Sequence, residues 1–518
     1  MPLTGRNFIG STRSSRGAKV FRAVNPSLNK EIEPAFHEAV PDEIDRAMKL
    51  SEAAFVEYRG RLPGQRAAFL RGIASEIERL GDELVERAVS ETALPAARIT
   101  GERGRTNGQL RMFADLVEEG SWVDARIDHG DANRKPAPKP DIRRALTAIG
   151  PVVVFGASNF PLAFSVVGGD TASALAAGCS VVIKAHPSHP GTSELVMGAM
   201  LQAAKSNSMP DGVVSLLHGV DPEVSLALVS HALAKAVGFT GSHRAGRALF
   251  DLAAARAEPI PVYAEMGSIN PVFVLPRAVK ESGVQIAEGL TNSVTLGVGQ
   301  FCTKPGVVVC LDDEATRRFV EEVLRRMAAV PVGTMLNPRI AKAYADGRKQ
   351  FGGVHAASPG LPTQAVPTVF TATGEQFLSN RHLREELFGP ETVVVTAKSP
   401  GQFEEIASCL DGQLTATIHA AGGELAEYRL LVEILRRKAG RLIFNGYPTG
   451  VEVCSAMHHG GPYPATTDSR STSVGTAAIE RFARPVCYQD CPAEMLPAEL
   501  LEGNPMSIWR LIDGQWSQ

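Results

Sequence analysis

Pro151-Val152-Val153-Val154-Phe155, Ser180-Val181-Val182-Ile183-Lys184, Gly212-Val213-Val214-Ser215-Leu216-Leu217, Ala234-Lys235-Ala236-Val237-Gly238-Phe239 and Pro261-Val262-Tyr263-Ala264 are short β-branched runs separated by helical stretches. Strands alternating with helices predict a parallel sheet joined by right-handed crossovers. A second series follows in Pro271–Leu275, Pro305–Leu311, Thr392–Thr396, Thr415–His419 and Gly440–Phe444. Two tandem open α/β domains with mainly parallel sheets are therefore expected, with the chemistry in the cleft between them. Before them, residues 41–122 carry apolar residues at three- and four-residue spacing, the helical period. Asp124–Arg144 is polar and proline-bearing, an excursion from the compact body, and Pro492–Gln518 is a tail of no evident role.

A chain of 518 residues exceeds one hydrophobic core, as two or three domains require. Its formal charge of −3 is too near neutral for a nucleic-acid or anionic-lipid surface. Seven cysteines, few and odd in number, argue against a disulfide framework and for a reducing compartment. Met1–Lys19 is polar and lacks the apolar stretch of a secretory signal, so the cytoplasm is the expected location. Leu162–Ile183 has membrane length, but Asp170 and Gly178-Cys179 resolve it into helix, turn and strand.

Among the cysteines, Cys302 stands apart. Buried, inert packing suits Cys179, Cys310 and Cys409, whereas Cys302 lies among Gly297, Gly299 and Gly306 at the edge of an apolar run. Glycines allow a ligand to approach, and backbone N–H groups at a loop edge favour thiolate. Glu265 ends its own apolar run, where ligands meet α/β sheets; half-buried, it should hold its proton more tightly and serve as a base near neutral pH. Packing and solvated-surface roles remain the bland alternatives for both. The turn Thr240-Gly241-Ser242, between a strand and a helix reaching Gly246, can hold a pyrophosphate on backbone amides and the helix dipole, although taken alone it reads as an ordinary strand–helix turn. Cys454, His458, His459, Cys487 and Cys491 fit no common ligand spacing, so no metal site is expected.

Taken together, these pieces resemble the aldehyde dehydrogenase superfamily. Its asparagine motif corresponds to Ser158-Asn159-Phe160-Pro161-Leu162, its cofactor lysine to Lys184 and its Phe-Thr-Gly-Ser turn to Phe239–Gly246. Glu265-Met266-Gly267, Gly299-Gln300-Phe301-Cys302 and Glu386–Pro390 complete the set in the family's order. The resemblance implies a cofactor domain (1–123 and 145–262), a catalytic domain (263–480) and a small β oligomerisation arm (124–144 and 481–491). It implies a homodimer or homotetramer, with 492–518 unassigned. Cys302 would be the nucleophile, Asn159 an oxyanion donor and Glu265 the base for hydrolysis. Lys184, Gly241, Ser242, Gly246, Met266, Glu386 and Phe388 would hold the dinucleotide.

Departures narrow the branch. Pro187 stands where many NAD-preferring members carry a ribose-binding glutamate, so NADP should be accepted and perhaps preferred over NAD. Gly461-Pro462-Tyr463-Pro464-Ala465-Thr466-Thr467 replaces the usual Pro-Phe-Gly-Gly segment. Those features resemble dehydrogenases of 2,5-dioxovalerate (α-ketoglutaric semialdehyde), or alternatively NADP-linked dehydrogenases of medium- and long-chain aliphatic aldehydes. Arg111 and Arg470 are the cations considered for a substrate carboxylate. A coenzyme-A-acylating enzyme would have no use for Glu265 as a water base, and a plain thiol esterase none for the cofactor motifs.

Overall fold

The computed structural model describes residues 2–351 and 360–518. Its first sheet runs Val262–Glu265, Ala236–Thr240, Val152–Phe155, Val181–Lys184, Val214–Leu217, Asn7–Ile9 and Thr12–Ser14. The five central strands are parallel, and the two N-terminal strands add an antiparallel edge. Val152–Phe155, Val181–Lys184 and Val214–Leu217 are buried at every position, because helices cover both faces. That is why they read as continuous apolar runs. The membrane-length stretch divides into the helix Gly169–Ala177, a left-handed turn at Gly178 and the strand Val181–Lys184. No helix among the described residues is long and apolar enough to cross a membrane.

The second sheet has six parallel strands, ordered Thr368–Thr373, Glu391–Ala397, Val307–Leu311, Val272–Val274, Gln413–His419 and Ala439–Phe444. Its core packs Phe273, Val307, Val309, Val393 and Phe403, each at most 2% exposed. Burying a side chain of this kind contributes roughly 1.5–3 kcal/mol.

Two expected divisions cut through strands. The first falls at 262/263, but Val262–Glu265 is one strand, so Glu265 belongs to the first sheet. The second falls at 144/145, inside the strand Ile142–Ala148. That strand pairs with Ala483–Gln489 and Arg126–Asp128. The tail is part of the same five-stranded sheet, contributing Arg510–Ile512 and Gln515–Ser517.

Candidate active site

Local backbone constraints bring Cys302 to its position. After the helix Pro276–Thr295, Gly297, Val298 and Gly299 all adopt left-handed φ near 60° (56°, 59° and 66°). At Gly299 a Cβ would sit 2.2 Å from the carbonyl oxygen of Gly389, so only glycine fits there. Val298 holds a conformation that costs a β-branched residue about 1–3 kcal/mol. Beyond the thiol, Lys304 Nζ donates to the carbonyls of Leu387 (3.1 Å) and Glu391 (3.0 Å) and pairs with the Glu391 carboxylate. Asn270 Nδ2 donates to the carbonyls of Cys302 (2.8 Å) and Lys304 (3.0 Å). The thiol loop is therefore locked to the loop carrying Glu386.

Glu265 ends its strand where a second segment zips alongside. Met266 N donates to Ala465 O (2.7 Å), Thr467 N donates to Ala264 O (3.1 Å), and Glu265 bridges Thr466. These contacts come from the segment that departs from Pro-Phe-Gly-Gly. The same excursion seats His459, whose N donates to Thr472 Oγ1 at 2.8 Å, and Ser473 against the carboxylate. His459 Nε2 lies 3.1 Å from Glu265 Oε1 and 3.6 Å from Cys302 Sγ, while Ser473 Oγ donates to Glu265 Oε2 at 2.7 Å. Among the described residues, Glu265, Cys302 and His459 form the one grouping of three such side chains, their ligand atoms within 4.8 Å of one another.

Two sequence expectations change here. Burial pushes the Glu265 carboxyl up, but the His459 imidazole and the Ser473 hydroxyl outweigh it, and the group stays below its ordinary value. Its proton affinity is lowered, not raised. Cys302 moves the other way: burial, then the Glu265 charge and hydrogen bond, hold its proton well above the usual thiol range against a weaker pull from Arg105. In this conformation the group is a thiol. The sequence offers His459 only as part of a rejected zinc set; here it sits between the Cys302 thiol and the Glu265 carboxylate.

Asn159 is buried beside the thiol loop, donating from Nδ2 to Gln300 O at 3.0 Å. Phe160, Phe164, Phe301, Cys302, Thr303 and His459 line a cavity of about 390 Å³, with Arg98 and Arg105 on its wall. Arg111 and Arg470 lie elsewhere: Arg111 pairs with Glu78 on the surface, and Arg470 with Asp468 at 89% side-chain exposure.

The remaining expected residues gather beside this group. Lys184 ends a strand, 7% exposed, and burial lowers its ammonium to about 8. Gly241 N donates to Glu265 O at 3.0 Å, tying the turn to the carboxylate strand. Ser242 caps the helix His243–Ala254, its Oγ accepting from Ala245 N at 3.4 Å. Gly246 lets that helix settle on Met266; a Cβ there would meet Met266 Cγ at 2.7 Å. Glu386 packs over Gly267, and burial lifts its carboxyl to about 7. Phe388 is half-buried in the same loop. A buried lysine, a capped helix start and a half-buried carboxylate suit the ribose hydroxyls and pyrophosphate of a dinucleotide.

The sequence profile described as the aldehyde dehydrogenase family matches residues 12–482. The chain belongs to that family. It is 49% identical to alpha-ketoglutaric semialdehyde dehydrogenase 2 of Azospirillum brasilense, over 99% of this chain and 100% of that one. It is 44% identical to the alpha-ketoglutaric semialdehyde dehydrogenase of Acinetobacter baylyi, over 99% of each. The fold is shared with a Thermus 1-pyrroline-5-carboxylate dehydrogenase solved with bound NAD, at TM-score 0.80, 22% identity and coverage of 93% and 92%. A 3,6-anhydro-L-galactose dehydrogenase matches at TM-score 0.79 and 21% identity, covering 93% and 99%. The protein is thus an NAD(P)-dependent aldehyde dehydrogenase with two α/β sheets flanking its thiol.

Proposed function

We propose that this aldehyde dehydrogenase oxidises α-ketoglutaric semialdehyde (2,5-dioxopentanoate) to 2-oxoglutarate, with NADP preferred over NAD. The observation carrying the chemistry is the convergence of Cys302, His459 and Glu265. The names of the two full-length relatives support the substrate. NADP preference is supported by the position of Pro187, which puts no carboxylate three residues after Lys184 to repel a 2′-phosphate.

In this reading Cys302 Sγ attacks the aldehyde carbon once its proton has been released to water in the cavity, which leaves Glu265 ionised for the later step. Asn159 Nδ2 and the Cys302 backbone N–H hold the developing oxyanion, a donor of this kind being worth about 3 kcal/mol in the transition state. The nicotinamide, when bound, supplies the hydride acceptor. Lys184 and Glu386 hold the two riboses, the Gly241–Gly246 turn holds the pyrophosphate, and Met266 and Phe388 flank the dinucleotide. Glu265 then removes a proton from the water that hydrolyses the Cys302 thioester. An ionised Glu265 is ready for that step at neutral pH without further titration.

Seven free thiols support a reducing, cytoplasmic setting, and the five-stranded arm sheet is the surface through which a homodimer or homotetramer would form. The test is a survey of initial rates over short, acidic and long-chain aldehydes with both cofactors, run beside Cys302→Ala. We expect kcat/KM to be highest for 2,5-dioxopentanoate with NADP, and the variant to bind cofactor yet produce no reduced cofactor. Full activity in Cys302→Ala would refute the mechanism; a long aliphatic aldehyde as the best substrate would refute the substrate.

A further inference from the structure

We propose that Arg105 is the residue that recognises the acid end of the substrate, taking a 2-oxocarboxylate on its guanidinium fork while the aldehyde reaches Cys302. This inference rests on the substrate reading above and names the group that selects for it.

Arg98 and Arg105 lie two turns apart on the helix Ala96–Glu119, so both face the cavity that Cys302 lines. Their situations differ. Arg98 Nη1 is paired with Glu102 Oε2 at 2.7 Å, one turn along. The other oxygen of Glu102 accepts the backbone N–H groups of Leu162 (2.9 Å) and Ala163 (2.8 Å), which fixes the segment after Asn159. Glu102 is therefore spent on Arg98 and the backbone. Arg105 keeps Nε and Nη2 buried with no hydrogen-bond partner, its guanidinium carbon 5.7 Å and 5.4 Å from the ring centres of Phe160 and Phe164.

Buried donors of a charged group are costly to leave unpaired, and the side chain that carries them is on the wall of the cavity beside Cys302, within a small rotation of it. The ligand that answers them is an anion with two coplanar acceptors. A 2-oxoacid offers one carboxylate oxygen and the neighbouring keto oxygen in one plane, matching adjacent N–H groups of a guanidinium. The aromatic rings beside it exclude water and strengthen that contact. An aliphatic aldehyde without an acid end would leave both donors unanswered.

The experiment compares kcat/KM of wild type, Arg105→Met and Arg105→Lys on 2,5-dioxopentanoate, 5-oxopentanoate and pentanal, with a thermal melt of each protein. We expect the ratio of 2,5-dioxopentanoate to pentanal to drop by roughly 100-fold in Arg105→Met, mainly through KM, as loss of a charged hydrogen-bond partner predicts. Arg105→Lys keeps the charge but loses the fork, so the advantage of 2,5-dioxopentanoate over 5-oxopentanoate should collapse while both acids stay ahead of pentanal. That variant decides the matter if Arg105→Met does not fold. An acid preference undiminished in both variants, or a parallel loss on all three aldehydes, would overturn the role of Arg105 alone. A wild type that prefers pentanal to both acids would overturn the substrate reading and this inference with it.

Discussion

Two carboxylates flank the thiol, Glu265 buried and Glu386 half-buried, and their environments push their proton affinities apart. Glu265 ends a strand of the first sheet and receives the His459 imidazole and the Ser473 hydroxyl, which hold its proton affinity down despite burial. Glu386 sits in the loop before the strand Glu391–Ala397; burial dominates, Lys304 offsets it only in part, and its carboxyl rises to about 7. The outcomes differ because the His459 and Ser473 contacts outweigh desolvation at Glu265, whereas the Lys304 charge and a backbone hydrogen bond from Ser268 do not at Glu386. A carboxylate whose donors outweigh desolvation stays ionised and can take a proton from water near neutral pH, whereas one whose partners fall short switches near neutrality.

The largest break in this contrast is Glu265→Gln. Removing the base should slow steady-state turnover about 100- to 10,000-fold while sparing the first burst of reduced cofactor. The same change removes a negative neighbour from Cys302, so the thiol should ionise at lower pH. Alkylation by iodoacetamide at pH 7.5, without cofactor, should then run faster in the variant than in wild type. An unaltered steady-state rate would show that Glu265 is not the base.

His459→Gln should have a smaller effect, on the order of 10- to 100-fold at pH 7. The sign with pH follows from the geometry. Without the imidazole, only the weaker Ser473 and Cys302 hydrogen bonds remain to hold Glu265 down, so its proton affinity rises. The base works only when deprotonated, and activity is lost as pH falls through that value. The acid limb of the kcat profile should therefore move to higher pH in the variant. An acid limb that stays in place would mean that His459 does not tune Glu265.

Much of this arrangement was legible in the sequence, for reasons that also explain what was not. Runs such as Val152–Phe155 read correctly because strands buried on both faces are continuously apolar. The edge strand Thr368–Thr373 escaped because exposed Thr371 and Thr373 interrupt what the core-facing Phe370 and Ala372 would otherwise show as an apolar run. His459 lies 194 residues from Glu265 and 157 from Cys302, and no spacing rule joins them. The available signal was the unusual Gly461–Thr467 segment, which zips onto the carboxylate strand and carries His459 with it. Arg111, a cation considered from the sequence, misses the cavity through helical phase. Seven residues from Arg98 to Arg105 return to one face, whereas six more to Arg111 turn toward Glu78 on the helix Pro63–Arg79. Proton affinities were the least legible, since they depend on which donors arrive from distant segments.

The finest test of the contrast is Glu386→Gln. In wild type, Glu386 is protonated below about pH 7 and ionised above it. As an acceptor for ribose hydroxyls the ionised form is the better partner, so KM for NADP should rise as pH falls from 8 to 6. The glutamine keeps one acceptor oxygen and cannot titrate. It should cost only about fivefold in KM at pH 8, the scale of one hydrogen bond weakened from charged to neutral, and its KM should not vary with pH over that interval. In the proposed mechanism the acid limb of kcat is set by Glu265, so it should stay where it is. A variant that flattened the kcat limb instead would reverse the assignment of the two carboxylates, making Glu386 the group that handles the proton and Glu265 the one that merely holds a ligand.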